Sequence, residues 1–275
     1  MEHNLLEAMV RYAHEAGVIA KSEQANLHAQ VKADDSYVTE VDLRLSKMAF
    51  TFFSGLVPDH HIITEEHLEN LHALPDEPAP GEPELLLIID PIDGTRNYFH
   101  NMPLYGVSVA VLRNREPWLG VVTFPSLGET FVADSAGAYL ITDAYGDTPV
   151  NTRLEPADQE LNSNSVILLA NSVNRRYTWN YDVCTMMLTA CVAMNSCWPA
   201  IRRGIGTVYS DHIWDFAGSW PVLVHLGFEL KGTDSGRAMT RYVRSDYDQS
   251  HRLKEPILVC RPEHYERLRT GLMKR

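Results

Sequence analysis

No apolar run in this 275-residue chain approaches the ~20 residues a helix needs to cross a bilayer. The opening Met-Glu-His-Asn-Leu-Leu-Glu has no basic start followed by an apolar stretch, so a cytoplasmic location is expected rather than export. Cysteine is scarce. Of four, Cys184, Cys191 and Cys197 fall in one apolar segment, with neither a Cys-x-x-Cys pair nor a disulfide-dense pattern, so buried free thiols are expected. Positive charge is also short: a formal charge of -12 argues against nonspecific binding to nucleic acid or anionic membrane, because both require basic patches. No internal repeat is apparent.

What the chain does have is a core and a concentrated acidic motif. With 45% hydrophobic residues it can bury a substantial interior as one large domain or two closely joined halves. Residues 85 to 95 read Leu-Leu-Leu-Ile-Ile-Asp-Pro-Ile-Asp-Gly-Thr. A buried strand from Leu85 to Ile89 is expected to deliver Asp90 at its end, Pro91 to bar further pairing, and Gly94 to turn the chain toward a helix. Asp90, Asp93, the Ile92 carbonyl and the Thr95 hydroxyl then form an oxygen-rich set suited to a hard cation such as Mg2+. The backbone amides after Gly94 are left for phosphate. An Asp-Gly pair alone is ordinary loop punctuation. Two further acidic sites add weight: Glu65 and Glu66 end a short apolar run, and Asp215 stands at a helix start, where a carboxylate also serves as a cap.

Taken together, Glu65-Glu66, Asp90 to Thr95 and Trp214-Asp215 resemble the motifs of the inositol monophosphatase family, within the lithium-sensitive, Mg2+-dependent phosphatase superfamily. Val38-Thr39-Glu40-Val41-Asp42 and Asn97 to His100 with Pro103 extend the resemblance, which runs from about Lys32 to Gly227. The haloacid dehalogenase signature, Asp-x-Asp-Gly-Thr, is the nearest mimic, but here Pro-Ile separates the two aspartates. An EF-hand fails for want of its alternating ligands and closing glutamate.

The resemblance implies a layered α-β-α-β-α sandwich of mixed α+β and α/β character. It also implies a two-metal phosphomonoesterase acting on a small phosphorylated polyol, with inositol monophosphate as the default substrate. Histidinol phosphate, fructose 1,6-bisphosphate, 3'-phosphoadenosine 5'-phosphate, or a non-catalytic regulatory role stand as alternatives. Two or three Mg2+ per active site are implied, as is a homodimer. Glu65, Asp90 and the Ile92 carbonyl would hold one ion and Asp90, Asp93 and Asp215 another. Asp42 and Thr95 would orient the attacking water with Glu65 as a partner in deprotonation, and Asp93, Gly94 and Thr95 would meet substrate. Asp42 also reads as the N-cap of its helix.

The chain departs from the family pattern at Thr64, Phe216 and Gly227-Phe228. Only Gly206 to Ile213 is read as intervening before Trp214, where the family has a longer stretch with substrate contacts, so the pocket is expected to be shortened. Asp211 is a substitute hydroxyl contact, and Arg202, Arg203 or Lys32 are candidates for phosphate, Lys32 reading otherwise as solvent-exposed. His60, His61, His67, His72 and His100 cluster in sequence, but their spacing matches no recognised zinc set.

Periodicity predicts a helix from Leu5 to about Leu27 and a second presenting Leu45, Met48, Phe52 and Phe53. Lys32 to Tyr37 and the proline-rich stretch between Leu74 and Glu84 read as loops. Tyr105–Leu112, Trp118–Phe124, Glu129–Ala133 and Ala138–Ile141 read as an antiparallel meander. Beyond about Gly146 the expectation is a strand at Val166–Leu169, a helical stretch near Val183–Met194, a helix from Asp215, a strand at Pro256–Cys260 and a helix from Glu263. This pattern divides the chain into an α+β half, 1–146, and an α/β half, 147–275.

Overall fold

The computed structural model describes residues 1–32, 37–75 and 84–275, so most of the loops expected at Lys32–Tyr37 and between Leu74 and Glu84 lies outside the described residues. A 22-residue helix, Glu2–Glu23, forms where the apolar spacing predicts one, burying Leu5, Met9, Tyr12, Ala16 and Ala20 on one face. It packs with a second helix, Glu40–Phe53, on a seven-stranded sheet. Thr39 is the N-cap of that second helix and Asp42 its third residue, in a reciprocal capping box. The N-cap reading of Asp42 is thereby corrected.

The seven strands lie in sequence order: Ile62–Thr64, Leu85–Asp93, Gly106–Arg113, Glu116–Phe124, Glu129–Asp134, Gly137–Thr142 and Val150–Leu154. The first pair is parallel and the rest antiparallel. The last strand, which the sequence pattern did not reveal, places residues beyond 146 in this first sheet. Alternation along Leu85–Asp93 sends Leu87 and Ile89 toward the two long helices. Leu86 and Ile88 point to the opposite face, against Trp214, Phe216 and Trp220. That opposite face is covered by two short helices, Ile213–Ala217 and Trp220–His225.

A five-stranded sheet follows, ordered Thr185–Met187, Val166–Leu169, Gly206–Tyr209, Ile257–Cys260, Glu229–Gly232. The first three are parallel and the last two antiparallel to their neighbours. One face meets the short helices through Leu230, Ile257 and Val259. The other holds Ile167, Val208 and Leu258 against Tyr265 and Leu268 of the final helix, Tyr265–Gly271. The layers are therefore helix, sheet, helix, sheet, helix, as the resemblance implied.

Two expectations fail in the second half. The Val183–Met194 stretch holds a strand, Thr185–Met187, a turn with Ala190 at φ 58, and a helix only from Val192 to Cys197. Nor is the route to Trp214 short: that helix and the strand Gly206–Tyr209 both precede it. The apolar composition hid the boundary, because buried strand and buried helix read alike over so few residues.

The large sheet and the Trp-Asp helix meet at touching distance. A methyl group on Gly120 of the large sheet would lie 2.2 Å from the Gly218 carbonyl oxygen, and one on Gly218 would lie 2.6 Å from Ser108 Oγ. Ser108 Oγ also donates to the Trp214 carbonyl at 3.2 Å. Glycine at these positions lets the Trp-Asp helix rest directly on the strands.

Candidate metal centre and active site

Asp90 belongs to the strand Leu85–Asp93, which does not end there: Asp90 pairs with Ser108, Pro91 and Ile92 form a bulge, and pairing resumes at Asp93 with Gly106. Proline thus interrupts the ladder without terminating it. The bulge re-aims the chain so that Asp90 and Asp93 serve one point. Gly94, at φ 86, then opens the helix Thr95–Phe99.

Asp215 arrives from the C-terminal half, three residues after His212 in a reciprocal cap. Carboxylate oxygens of Asp90, Asp93 and Asp215 lie within 4.8 Å of one another. All three are buried, at 1%, 6% and 9% exposure. The hydrogen bonds reaching them come from neutral groups. Ile92 N donates to Asp90 at 3.0 Å, and His212 N donates to Asp215 at 2.9 Å. Cys191 Sγ, Val192 N and Ala193 N donate to Asp93 at 2.8, 3.2 and 2.6 Å.

Such crowding raises carboxyl pKa values. Burial, then Glu65, Asp93, Asp215 and Asp42, push Asp90 well above the usual range. Burial and Asp215 push Asp93 up to about 8, against the opposing hydrogen bonds from Cys191, Ala193 and Val192. Three buried carboxylates converging with neutral donors around them fit a divalent cation: the donors are hard oxygens, and a bound ion would remove the repulsion.

Glu65 stands apart from this trio. It follows the strand Ile62–Thr64, as expected, but its carboxylate accepts from Lys32 Nζ at 2.9 Å, and Glu66 accepts from the same ammonium at 2.6 Å. Lys32 is therefore held by acidic partners, and its side chain is only 25% exposed. The reading of Lys32 as a solvent-exposed residue is corrected.

Thr95 Oγ1 donates to the Ile92 carbonyl at 2.9 Å and lies 3.5 Å from Asp42 Oδ1. Asp42 also accepts from Thr39 N at 2.8 Å. Burial, partly offset by the Thr39 hydroxyl and reinforced by Glu65, raises its pKa to about 7.

All of these groups except Asp42 open into one cavity of about 740 Å3; Asp42, 1% exposed, is not among its lining residues and meets it only through Thr95. Glu65, Asp90, Ile92, Asp93, Gly94, Thr95 and Asp215 all line it, and so does Asp211. Asp211 accepts from Ser172 Oγ at 2.6 Å and Arg252 Nη1 at 3.2 Å. Arg203 instead makes a two-pronged pair with Glu129, at 2.6 and 2.8 Å, and neither it nor Arg202 is among the cavity's lining residues. Among the five clustered histidines only His72 lines the cavity, and none belongs to the metal-capable group found among the described residues.

Cys191, Arg175, His251 and Arg252 also line the cavity, beyond the residues to which the motifs point. Cys191 falls inside a stretch whose apolar composition reads as helix interior, so its place at a helix start is set only by the structure. Nothing local distinguishes the other three. All four cysteines are free and buried, as composition implied. Among the described residues no helix is long and apolar enough to cross a membrane.

The inositol monophosphatase family model matches residues 1–258. Over 138 residues the chain is 34% identical to a histidinol-phosphatase of Chlorobaculum parvum, a match covering 49% of this chain and 50% of that protein. The chain thus spans about half the length of that relative. Over 235 residues it is 27% identical to the 3'(2'),5'-bisphosphate nucleotidase CysQ of Aggregatibacter actinomycetemcomitans, covering 82% of each. The solved Thermotoga maritima IMPase aligns with a TM-score of 0.75 at 19% identity, covering 98% of this chain and 96% of that one, which shows a shared fold.

Proposed function

The chain belongs to the inositol monophosphatase family, and from that premise we propose that it is a metal-dependent phosphomonoesterase acting on a small phosphorylated alcohol. The observation that carries this reading is the buried convergence of Asp90, Asp93 and Asp215 within one cavity. Hard oxygen donors favour Mg2+. Asp90, Asp93 and Asp215 would hold one ion, and Glu65, Asp90 and the Ile92 carbonyl another, with Lys32 yielding Glu65.

Bound there, such ions supply charge neutralisation for the phosphate and acidify water. The remaining work falls to the chain itself. Asp42, with a pKa near 7, is suited to accept a proton at neutral pH, and Thr95 Oγ1, 3.5 Å away, is suited to orient the water that loses it. The amides following Gly94 and the exposed Arg96 and Arg175 at the rim suit a phosphate's oxygens. Water attacks phosphorus directly in this reading, so no acyl-phosphate forms on Asp90.

The default substrate is inositol monophosphate. Histidinol phosphate, fructose 1,6-bisphosphate and 3'-phosphoadenosine 5'-phosphate are the competing candidates. Phosphate release measured across all four with Mg2+ and with chelator decides among them. Release from none of them, and from no generic phosphomonoester, leaves the regulatory alternative. Inhibition by LiCl beyond a KCl control of equal ionic strength is expected, and equal effects of the two salts would place the chain among lithium-tolerant members.

A further inference from the structure

His251 carries two unfavourable features that the fold does not explain. It sits in a turn built by Asp248, whose Oδ1 accepts from Ser250 N at 2.8 Å, Ser250 Oγ at 2.7 Å and Arg252 N at 3.1 Å. The turn requires a left-handed residue at position 251, at φ 61. Glycine takes that conformation with least strain; histidine, one of the side chains that tolerates it, occupies it here. The side chain is then 2% exposed, and neither ring nitrogen has a hydrogen-bond partner among the described residues. A buried donor and acceptor left unpaired is unfavourable in a folded protein.

The ring is also kept neutral. Burial, then Arg244, His72 and His212, hold its pKa down to about 4, outweighing the opposite pull of Asp248. At neutral pH it offers one N–H and one lone pair. It lines the same cavity as the three carboxylates. The next residue, Arg252, pairs with Asp211 at 3.2 Å, and Leu253 N donates to the Asp211 carbonyl at 3.2 Å. The turn is thus fastened to the segment that leads into Asp215. From the opposite half, His72 stacks on the ring at 4.8 Å with planes 21° apart.

We propose that His251 is a specificity-determining residue that makes a hydrogen bond, through one of its ring nitrogens, to a hydroxyl on the alcohol portion of the substrate. The inference rests on the phosphomonoesterase reading above. A neutral imidazole matches a hydroxyl in both of its roles, whereas a second phosphate would call for a cation at that point. Both ring nitrogens are buried in the free protein, so contact with a ligand requires the side chains around the ring edge to shift. Strain and unpaired nitrogens at a cavity wall are what a ligand contact leaves in the free protein.

The test compares two substrate classes with the Mg2+-loaded 275-residue chain. Inositol 1-phosphate and glycerol 2-phosphate carry further hydroxyls, and p-nitrophenyl phosphate does not. His251→Leu is expected to lower kcat/KM about tenfold on the polyol phosphates and to change it less than about twofold on the aryl ester. His251→Asn, which tolerates the left-handed backbone and keeps a donor and an acceptor, is expected to recover part of the loss. His251→Gly, which frees the left-handed backbone but deletes a buried ring stacked on His72, is expected to lose the same polyol preference as His251→Leu. Equal losses on both classes or no loss on either overturns the inference alone. Absence of wild-type hydrolysis of either class sinks the phosphomonoesterase reading, and this inference with it.

Discussion

The seven-stranded and five-stranded sheets of this protein are assembled by opposite rules. The large sheet takes its seven strands in the order they occur in the chain, and every pair after the first is antiparallel. The small sheet reorders its strands, setting Thr185–Met187 at one edge and Glu229–Gly232 at the other. The cavity between them inherits the difference. From the large-sheet side, Asp90, Asp93 and Thr95 arrive within a single stretch of chain. From the other side, Cys191, Asp211, Asp215 and His251 are gathered from distant segments. Local order gives one wall its rigidity, and tertiary fastening must supply it to the other.

The largest expected effect removes the residue on which both candidate ion sites depend. Asp90→Asn should lower phosphatase activity by at least about 100-fold at saturating Mg2+, with weakened Mg2+ binding by calorimetry. Unaltered turnover would refute the assignment of Asp90. Acid-quench trapping should yield no phosphorylated Asp90 peptide in the wild type.

A second effect concerns pH and the cation-free protein. Asp42 and Asp93 have folded-state pKa values of about 7 and about 8, and that of Asp90 is raised as well. An unfolded aspartate titrates near 4. Between that value and the folded ones the folded chain holds more protons, so stability falls as pH rises through this window. Thermal melting in chelator should therefore shift downward from pH 5 to pH 8, and saturating Mg2+ should flatten the trend. A melting temperature in chelator that rises over the same range would contradict the crowding of these carboxylates.

The seam between the two walls is tested at Gly120. Gly120→Ala places a methyl group against the Gly218 carbonyl and 2.6 Å from Pro221 Cγ, which should cost about 1–3 kcal/mol by overpacking. Because the Trp-Asp helix must lift to admit the methyl group, cation affinity should weaken alongside Tm. A stability loss with unchanged affinity would show that Asp215 does not depend on this contact.

The smallest effect probes the fastening of Asp93 alone. Cys191→Val deletes the thiol donor and adds about one methyl of volume, leaving the Val192 and Ala193 amides on that carboxylate. Mg2+ affinity is expected to weaken by about tenfold or less, in line with loss of a hydrogen bond that orients a metal ligand. Calorimetry on Cys191→Val beside Cys191→Ser, which restores a hydroxyl donor, separates hydrogen bonding from packing.

The sequence by itself determined the parts of this protein in which cause and effect are close along the chain. Apolar spacing along Glu2–Glu23 marks a buried helical face, alternating strands joined by short turns mark the meander, and a strand followed by Asp-Pro-Ile-Asp-Gly-Thr marks two carboxylates and a hydroxyl. Only the tertiary structure decided how Pro91 becomes a bulge instead of a stop, because pairing resumes through Gly106 on the neighbouring strand. It alone decided that Lys32 faces Glu65 and Glu66, that Cys191 holds Asp93, and that His251 meets His72. Those contacts join residues whose types carry no local periodicity. Their placement follows from the packing of the two halves, in which close glycine contacts, buried charge and loop fastening set distances that no short window of sequence contains.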